Sequence, residues 1–121
     1  MKIVHIDTPD GPITRLVIRS KRNTCFYKLS DLIYCKAERN YTRLHFCNGD
    51  TCLTCAYLSH IADKLQYFGC VMVHKSYLIN MRHLVSLSSG EKYRVLLTNG
   101  FEIPVSIPKK TFLESILNRK S

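Results

Sequence analysis

The stretch LIYCKAERNYTRLHFCNGDTCLT, Leu32–Thr54, decides the fold class. Within it, the runs Leu32–Ala37 and Tyr41–Phe46 have the composition of β-strands, and Glu38-Arg39-Asn40 connects them. Asn48-Gly49 then leads into a further strand-like run. An Asn-Gly pair between two such runs is the strongest short-range signal for a β-hairpin. The stretch therefore predicts consecutive antiparallel hairpins.

Strand-like runs continue on both sides of this stretch. Thr8–Pro12 is rich in turn residues and separates the first run from the rest, so we expect residues 1–14 to be an N-terminal arm or edge strand and residues 15–121 to form the main domain. Asn99-Gly100 predicts a second Asn-Gly hairpin. The additional predicted strands are Lys2–Ile6, Leu16–Arg19, Thr24–Lys28, Val71–Val73, Tyr93–Thr98 and Phe101–Val105.

Two segments have the apolar spacing of helices. Leu58, Ile61, Ala62 and Leu65 form one stripe, which Gly69 ends as a C-terminal cap. A second helix is expected from about Ile107 to Arg119. Ser106 is its expected N-cap. Its expected apolar face is Phe112, Leu113, Ile116 and Leu117. The fold class is therefore mostly β (α+β), with one internal and one C-terminal helix.

Composition narrows the class of protein. The 121 residues fit one domain, and 45% hydrophobic with 22% charged residues is typical of a globular chain rather than a disordered one. No apolar run approaches the ~20 residues of a membrane span, and the start lacks a signal peptide, so we expect a cytoplasmic protein without membrane insertion. The net charge of +9 suggests a polyanionic partner, although solubility alone also explains it.

The six cysteines predict neither a disulfide framework nor a metal site. In a chain without an export signal, reduced thiols that pack as small hydrophobes are the better interpretation. Cys52 and Cys55 have the spacing of half a zinc site, but Asp50–Ala56 has the pattern of a strand, in which positions i and i+3 face opposite sides. We therefore expect no metal and no cofactor.

Cationic and amide side chains concentrate on connections between elements, where binding residues often lie. Arg and Asn suit guanine and adenine edges, and Lys suits phosphate. Two lysines in the first turn of a helix face an unfavourable dipole by ~0.3–1 kcal/mol, which a bound phosphate would relieve and solvent could also screen. The candidate contacts are Arg39, Asn40, Arg43, His74, Lys75, Lys109 and Lys110.

Three blocks resemble the motifs of one family in the family's own order. Ser30–Thr42 resembles the opening "DI-y-i-ea-xx-NY" of the LytTR-type DNA-binding domain. Phe68–Asn80 resembles its central "F-x-R-V-H-R-S-Y-L-V-N", and Gly100–Ser106 resembles its closing "G-x-x-I-P-V-S-R". The resemblance covers about Leu16 to Arg119, which is nearly the whole chain.

This resemblance implies an elongated set of small antiparallel sheets and a bacterial transcription regulator that places loops in double-stranded DNA. It carries over Arg39-Asn40 as the first contact loop, His74-Lys75 as the second, and the residues after Ser106 as the third. The sequence departs from the family after Ser106, where Ile107-Pro108 replaces a common Arg, so Lys109 and Lys110 are assigned to phosphate. Met72 and Lys75 also stand where the family often has Arg.

The resemblance further implies partners beyond DNA. Members often follow a receiver domain, for which 121 residues leave no room, so we expect a stand-alone regulator or an excised domain. A homodimer on DNA, and a receiver domain or membrane inhibitor protein in trans, are the partners it suggests.

Three other functional classes are the alternatives to DNA binding. An RNA-binding module is one alternative, but the sequence lacks the aromatic-rich strand motif and the GXXG loop of common RNA-binding domains. A basic module that binds an acidic protein fits the charge equally well. An enzyme is not expected, because Ser106-x-x-Lys109 and the His74–Ser76 pair come without a third catalytic group.

Overall fold

The computed structural model describes residues 1–19, 22–89 and 92–117, and we refer to this part as the described chain. Its strands are β1 Lys2–Thr8, β2 Gly11–Arg19, β3 Thr24–Lys28, β4 Leu32–Glu38, β5 Tyr41–Phe46, β6 Thr51–Thr54, β7 Cys70–His74, β8 Tyr77–Asn80, β9 Leu84–Ser89, β10 Tyr93–Leu97 and β11 Glu102–Pro104. Its α-helices are α1 Leu58–Leu65 and α2 Ile107–Leu117. Short 3-10 turns cover Leu29–Asp31, Gln66–Phe68 and Met81–His83. The predicted mostly β class with two helices is confirmed.

A five-stranded antiparallel sheet forms the centre of the fold, in the order β6-β5-β4-β8-β7. Alternating residues of these strands enter two separate cores, because successive side chains of a strand point to opposite faces. Cys35, Leu44 and Leu78 pack with α1 in the first core. Val73 and Ile79 pack with α2 and the C-terminal strands in the second. Apolar packing on both faces therefore fixes the positions of the strand ends.

The N-terminal residues form a second sheet, in the order β1-β2-β3. β1 pairs with β2 from Lys2↔Val17 to Thr8↔Gly11 and is an edge strand of this sheet. Residue 14, the predicted boundary of the N-terminal arm, lies inside β2, which is longer than the predicted strand. Leu16 of β2 is fully buried in the first core. Ser20 and Lys21, between β2 and β3, lie outside the described chain.

A third antiparallel sheet has the order β11-β10-β9. The Asn99-Gly100 hairpin between β10 and β11 is confirmed. No strand was predicted for β9, because its sequence LVSLSS has few strong strand formers and three serines. β9 is stabilised as a strand by its backbone hydrogen bonds to β10, which its own composition does not indicate.

The two helices pack on opposite faces of the central sheet. The stripe predicted for α1 is confirmed, with Leu58, Ile61 and Leu65 buried. α1 ends at Leu65 with Gln66 as its C-cap, so Gly69 does not cap α1 as predicted; it adopts the left-handed conformation (φ 86°) at the end of the 3-10 turn that follows. On α2, Leu113 is 1% exposed, but Phe112 is 45% exposed, so Phe112 does not belong to the buried face as predicted. The side chain of Leu117 and all of Arg119 lie outside the described chain.

The predicted bounds of β3 and β5 are confirmed to the residue. β6 ends at Thr54, so Cys55 follows the strand instead of lying in it. The six cysteines are free thiols. Within the described chain, no three His, Cys, Asp or Glu side chains gather where they could hold a metal ion. No described helix is long and apolar enough to cross a membrane.

Candidate nucleic-acid interface

Two turns lie side by side at one end of the central sheet, which we call the contact end. Arg39-Asn40 connects β4 to β5, and Lys75-Ser76 connects β7 to β8. β4 and β8 are neighbours, and the Ala37 N–H donates to the Ser76 carbonyl at 2.9 Å, which extends their pairing up to the turn. The structure therefore brings the first and second predicted contact loops together at the contact end.

The backbone of Arg39 has a conformation that residues other than glycine rarely adopt. Its φ is 58°, and it is the one residue other than glycine with a positive φ in the described chain. Two-residue hairpin loops use such angles because their twist matches that of the strands. Both Arg39 and Asn40 are exposed. The tight turn therefore projects a cation and an amide away from the sheet.

The turn after β7 fixes the ring of His74. The Ser76 N–H donates to His74 Nδ1 at 3.1 Å, and the ring meets Tyr77 edge-on with 5.7 Å between centroids. His74 is half-buried, whereas Lys75 is exposed. One side chain of this loop is therefore oriented by the protein, and the next extends into solvent.

The start of α2 lies against the end of β7. The Ser106 N–H donates to the Val73 carbonyl at 2.9 Å, and the Ser106 carbonyl accepts from the Lys110 N–H at 2.9 Å, which puts Ser106 at the predicted N-cap position. A groove of about 420 Å³ separates this helix start from the β7–β8 turn, and its lining is Met72, His74, Lys75, Ser106, Pro108 and Lys109. The second and third predicted loops thus share one groove.

The two lysines of α2 have different surroundings. Lys109 lines the groove, and its Nζ is 5.8 Å from the Phe112 ring centroid. Lys110 Nζ is 3.9 Å from the ring centroid of Tyr93 on β10, which is a cation–π distance. Hydrogen bonding to the Tyr93 side chain raises the pKa of Lys110. The Lys109 side chain therefore lines the groove, whereas the Lys110 side chain lies against β10 of the third sheet.

Arg43 lies on a sheet face beside the contact end and is already paired. Its Nε donates to Glu38 Oε2 at 2.8 Å, and its Nη1 is 3.4 Å from the Thr51 hydroxyl. The hydrogen bond from Arg43 lowers the pKa of the Glu38 carboxyl, with further contributions from the charges of Arg43 and Lys36. Among the candidate residues, Arg43 is the one held in an ion pair.

Two charged residues near the contact end were not among the candidate contacts. Lys36 and Glu38 stand on the same face as Arg43, and period-two alternation along β4 would have signalled both. Ile107, which replaces the family's common Arg, is 82% exposed at the start of α2. An isoleucine so exposed, two residues before Lys109, is a surface feature that the sequence alone did not reveal.

Two buried polar side chains lie away from the contact end and support the fold. The Arg82 N–H donates to Asn80 Oδ1 at 3.1 Å, which holds the turn that follows β8. Asn80 Nδ2 also donates to the Leu32 carbonyl at 2.9 Å. His83 uses both ring nitrogens, at 2.9 Å from the Thr98 hydroxyl and 2.7 Å from the Ser30 carbonyl. Both residues are therefore fully engaged inside the protein.

Comparison with solved structures identifies a similar fold. The LytTr DNA-binding domain of a methyl-accepting/DNA response regulator from Bacillus cereus superposes with a TM-score of 0.73 at 16% identity, over 86% of this chain and 96% of that chain. No curated protein matches the sequence.

Comparison with protein families gives a match over most of the chain. The family model described as the LytTr DNA-binding domain matches residues 22–118. This range contains the central sheet, both helices and every candidate contact residue. The chain therefore belongs to the LytTR family of DNA-binding domains.

Proposed function

We propose that the protein recognises a specific sequence in double-stranded DNA by inserting the turns of its contact end into the major groove, and that it regulates transcription in this way. Membership of the LytTR family supports DNA binding and a role in transcription regulation. One observation supports insertion into the major groove and sequence recognition: the Arg39-Asn40 turn, the Lys75-Ser76 turn and the start of α2 project from one end of a sheet packed on both faces.

The contact end offers two kinds of chemistry. Arg39, Asn40 and His74 carry donors and acceptors that suit base edges, which specify sequence. Lys75, Lys109, Lys110 and Arg43 carry charges that suit phosphates, which position the protein. Arg39 and Asn40 are exposed on a tight turn and can reach into a groove. Arg43 contributes after exchanging Glu38 for a phosphate oxygen.

The proposal includes the setting in which the protein acts. Duplex DNA is the partner, and the cytoplasm is the location that such a regulator requires. A homodimer on DNA, and a receiver domain or membrane inhibitor in trans, are additional proposed partners. No catalytic step is proposed.

Selection from random duplexes, followed by a salt titration on the selected site, tests the proposal. If the four cations assigned to phosphates all contact them, log affinity falls against log salt with a slope of about −3.6. Lys109→Ala weakens all duplexes alike and lowers the slope by about 0.9. Asn40→Ala weakens the preferred base at one position by about 1–3 kcal/mol.

The controls separate the other functional classes. Selection without a motif, with equal binding to random DNA, would refute sequence specificity. Stronger binding to RNA than to the matching duplex would favour an RNA-binding module. An acidic protein partner that occupies the contact end would be displaced by duplex DNA, and failure of the duplex to compete would point to a protein-interaction role.

A further inference from the structure

We propose that His74 acts at the contact end as a hydrogen-bond donor of fixed orientation, whose Nε2–H recognises an acceptor atom on a base edge and rejects cytosine. This inference rests on the proposed function, because it assigns a base preference to one residue of the same interface. The preference follows from the hydrogen bond by which the turn orients the His74 ring.

The first step concerns the inner nitrogen of the ring. The Ser76 N–H donates to His74 Nδ1 at 3.1 Å, so Nδ1 acts as an acceptor and carries no proton. A neutral imidazole has one donor and one acceptor nitrogen, and an imidazolium has two donors. With Nδ1 accepting, the neutral ring carries its proton on Nε2.

The second step concerns the outer nitrogen. His74 lines the groove together with Lys75 and Lys109, and within the described chain its Nε2 has no hydrogen-bond partner. His83 is the contrast, since both of its ring nitrogens are bound within the protein. His74 thus keeps one donor for a ligand, and the contact with Tyr77 limits rotation of the ring.

The third step matches this donor to base edges. In the major groove, guanine offers N7 and O6, adenine offers N7 and thymine offers O4 as acceptors, whereas cytosine offers the N4 amino donor. A ring that can only donate pairs with the first three and meets cytosine donor to donor. The preference of His74 is therefore for a purine or thymine.

The experiment uses the full chain and its selected duplex. Single bases are replaced by analogues that lack one acceptor: 7-deazaguanine, 7-deazaadenine, 2-aminopurine for the missing O6, and 5-methyl-2-pyrimidinone for the missing O4. One position should lose about five- to tenfold in affinity with wild-type protein, the loss expected for one neutral hydrogen bond. The same analogue should have no effect with His74→Phe, which keeps a ring but has no donor. His74→Gln, which regains a donor, should restore part of the effect.

The protonation state has its own measurement and control variants. Long-range ¹H–¹⁵N NMR at neutral pH should show His74 protonated at Nε2 alone. Ser76→Ala keeps the amide that holds Nδ1 and should leave this form unchanged, whereas Ser76→Pro removes the amide and should release the mixture of tautomers.

Three outcomes would overturn the inference. One is an Nδ1-protonated or doubly protonated ring in the free protein. Another is coupling of His74 to a methylphosphonate substitution instead of a base analogue, which would make it a phosphate contact. The third is a selected motif bound without any coupling to His74, which would leave the proposed function standing. Absence of any motif would overturn both.

Discussion

The Nε of Arg43 donates to Oε2 of Glu38 at 2.8 Å, so the hairpin that carries Arg39 and Asn40 also carries a cation held by an internal carboxylate. Both side chains are about one-third exposed. A pair so open to water is worth little to stability. Its larger effect is on charge, because it places an acid beside the proposed phosphate contacts.

Glu38→Gln should strengthen DNA binding. The change removes one negative charge and frees Arg43, so we expect higher affinity for all duplexes and a salt slope steeper by about 0.9. Salt titrations of the two proteins measure this directly. Asp7→Asn on β1 is the matched charge control and should have a smaller effect. Equal slopes for wild type and Glu38→Gln would show that Arg43 does not reach the backbone.

Arg39→Gly and Arg39→Ala should separate backbone strain from DNA contact. Both remove the guanidinium, so both should weaken binding equally. At a φ of 58°, alanine is strained and glycine is not, so Arg39→Gly should be the more stable of the two by about 1 kcal/mol. Urea unfolding and duplex titrations check the two expectations. If the variants bind DNA differently, the turn conformation rather than the charge governs the contact.

Ile107→Arg should restore the cation that the family commonly has after Ser106. Ile107 is 82% exposed, so the substitution disturbs no packing. We expect tighter binding and a salt slope steeper by about 0.9 if the new side chain meets a phosphate. A selection with this variant would also reveal any new base preference. Unchanged affinity would place the start of α2 away from the duplex.

Leu113→Ala should weaken both stability and DNA binding. Leu113 is 1% exposed in the second core, so the truncation should cost about 2–5 kcal/mol of the free energy of unfolding. Because α2 carries Lys109 to the groove, looser packing should also reduce affinity. Phe112→Ala is the matched control on the same helix and should cost much less. Full DNA affinity in a destabilised Leu113→Ala would separate α2 from the interface.

His45 should make the protein less stable in mild acid. Burial lowers the pKa of His45 in the folded chain, and the charge of Arg43 adds to this. The unfolded chain, with an ordinary histidine pKa of about 6.5, then binds the proton more readily, so the free energy of unfolding falls as pH drops from about 7 to 5. His45→Phe keeps the stacking on Tyr34 and should flatten this decline. Urea unfolding at several pH values measures this decline, with His60→Gln as the exposed control. An equal decline for wild type and His45→Phe would show that His45 does not cause the loss of stability in acid.

The sequence predicted the hairpins well because their signals are local. Asn48-Gly49 and Asn99-Gly100 name their turns, and the bounds of β5 follow from its composition. β9 escaped prediction because the pairing that stabilises it comes from β10, and Phe112 was misassigned because helical spacing does not say which edge of an apolar stripe meets a core. For the site, residue types suggested the contacts, but the pairing of Arg43 with Glu38 and the orientation of His74 depend on neighbours across strands and turns.

The strand order of the central sheet fixes the distance between the two turns of the contact end. In the order β6-β5-β4-β8-β7, the centres of the β4–β5 and β7–β8 turns are two strand spacings apart, which is about 10 Å. Successive phosphates of one strand are 3.4 Å apart along the duplex axis, so this distance matches roughly three base-pair steps when the row of strands follows the groove. If the two turns contact bases as proposed, substitutions within either turn change which bases are preferred, whereas backbone hydrogen bonds set the interval between the two contacted positions. We therefore expect variants of this protein to prefer different bases at the two contacted positions while the number of base pairs between those positions stays the same.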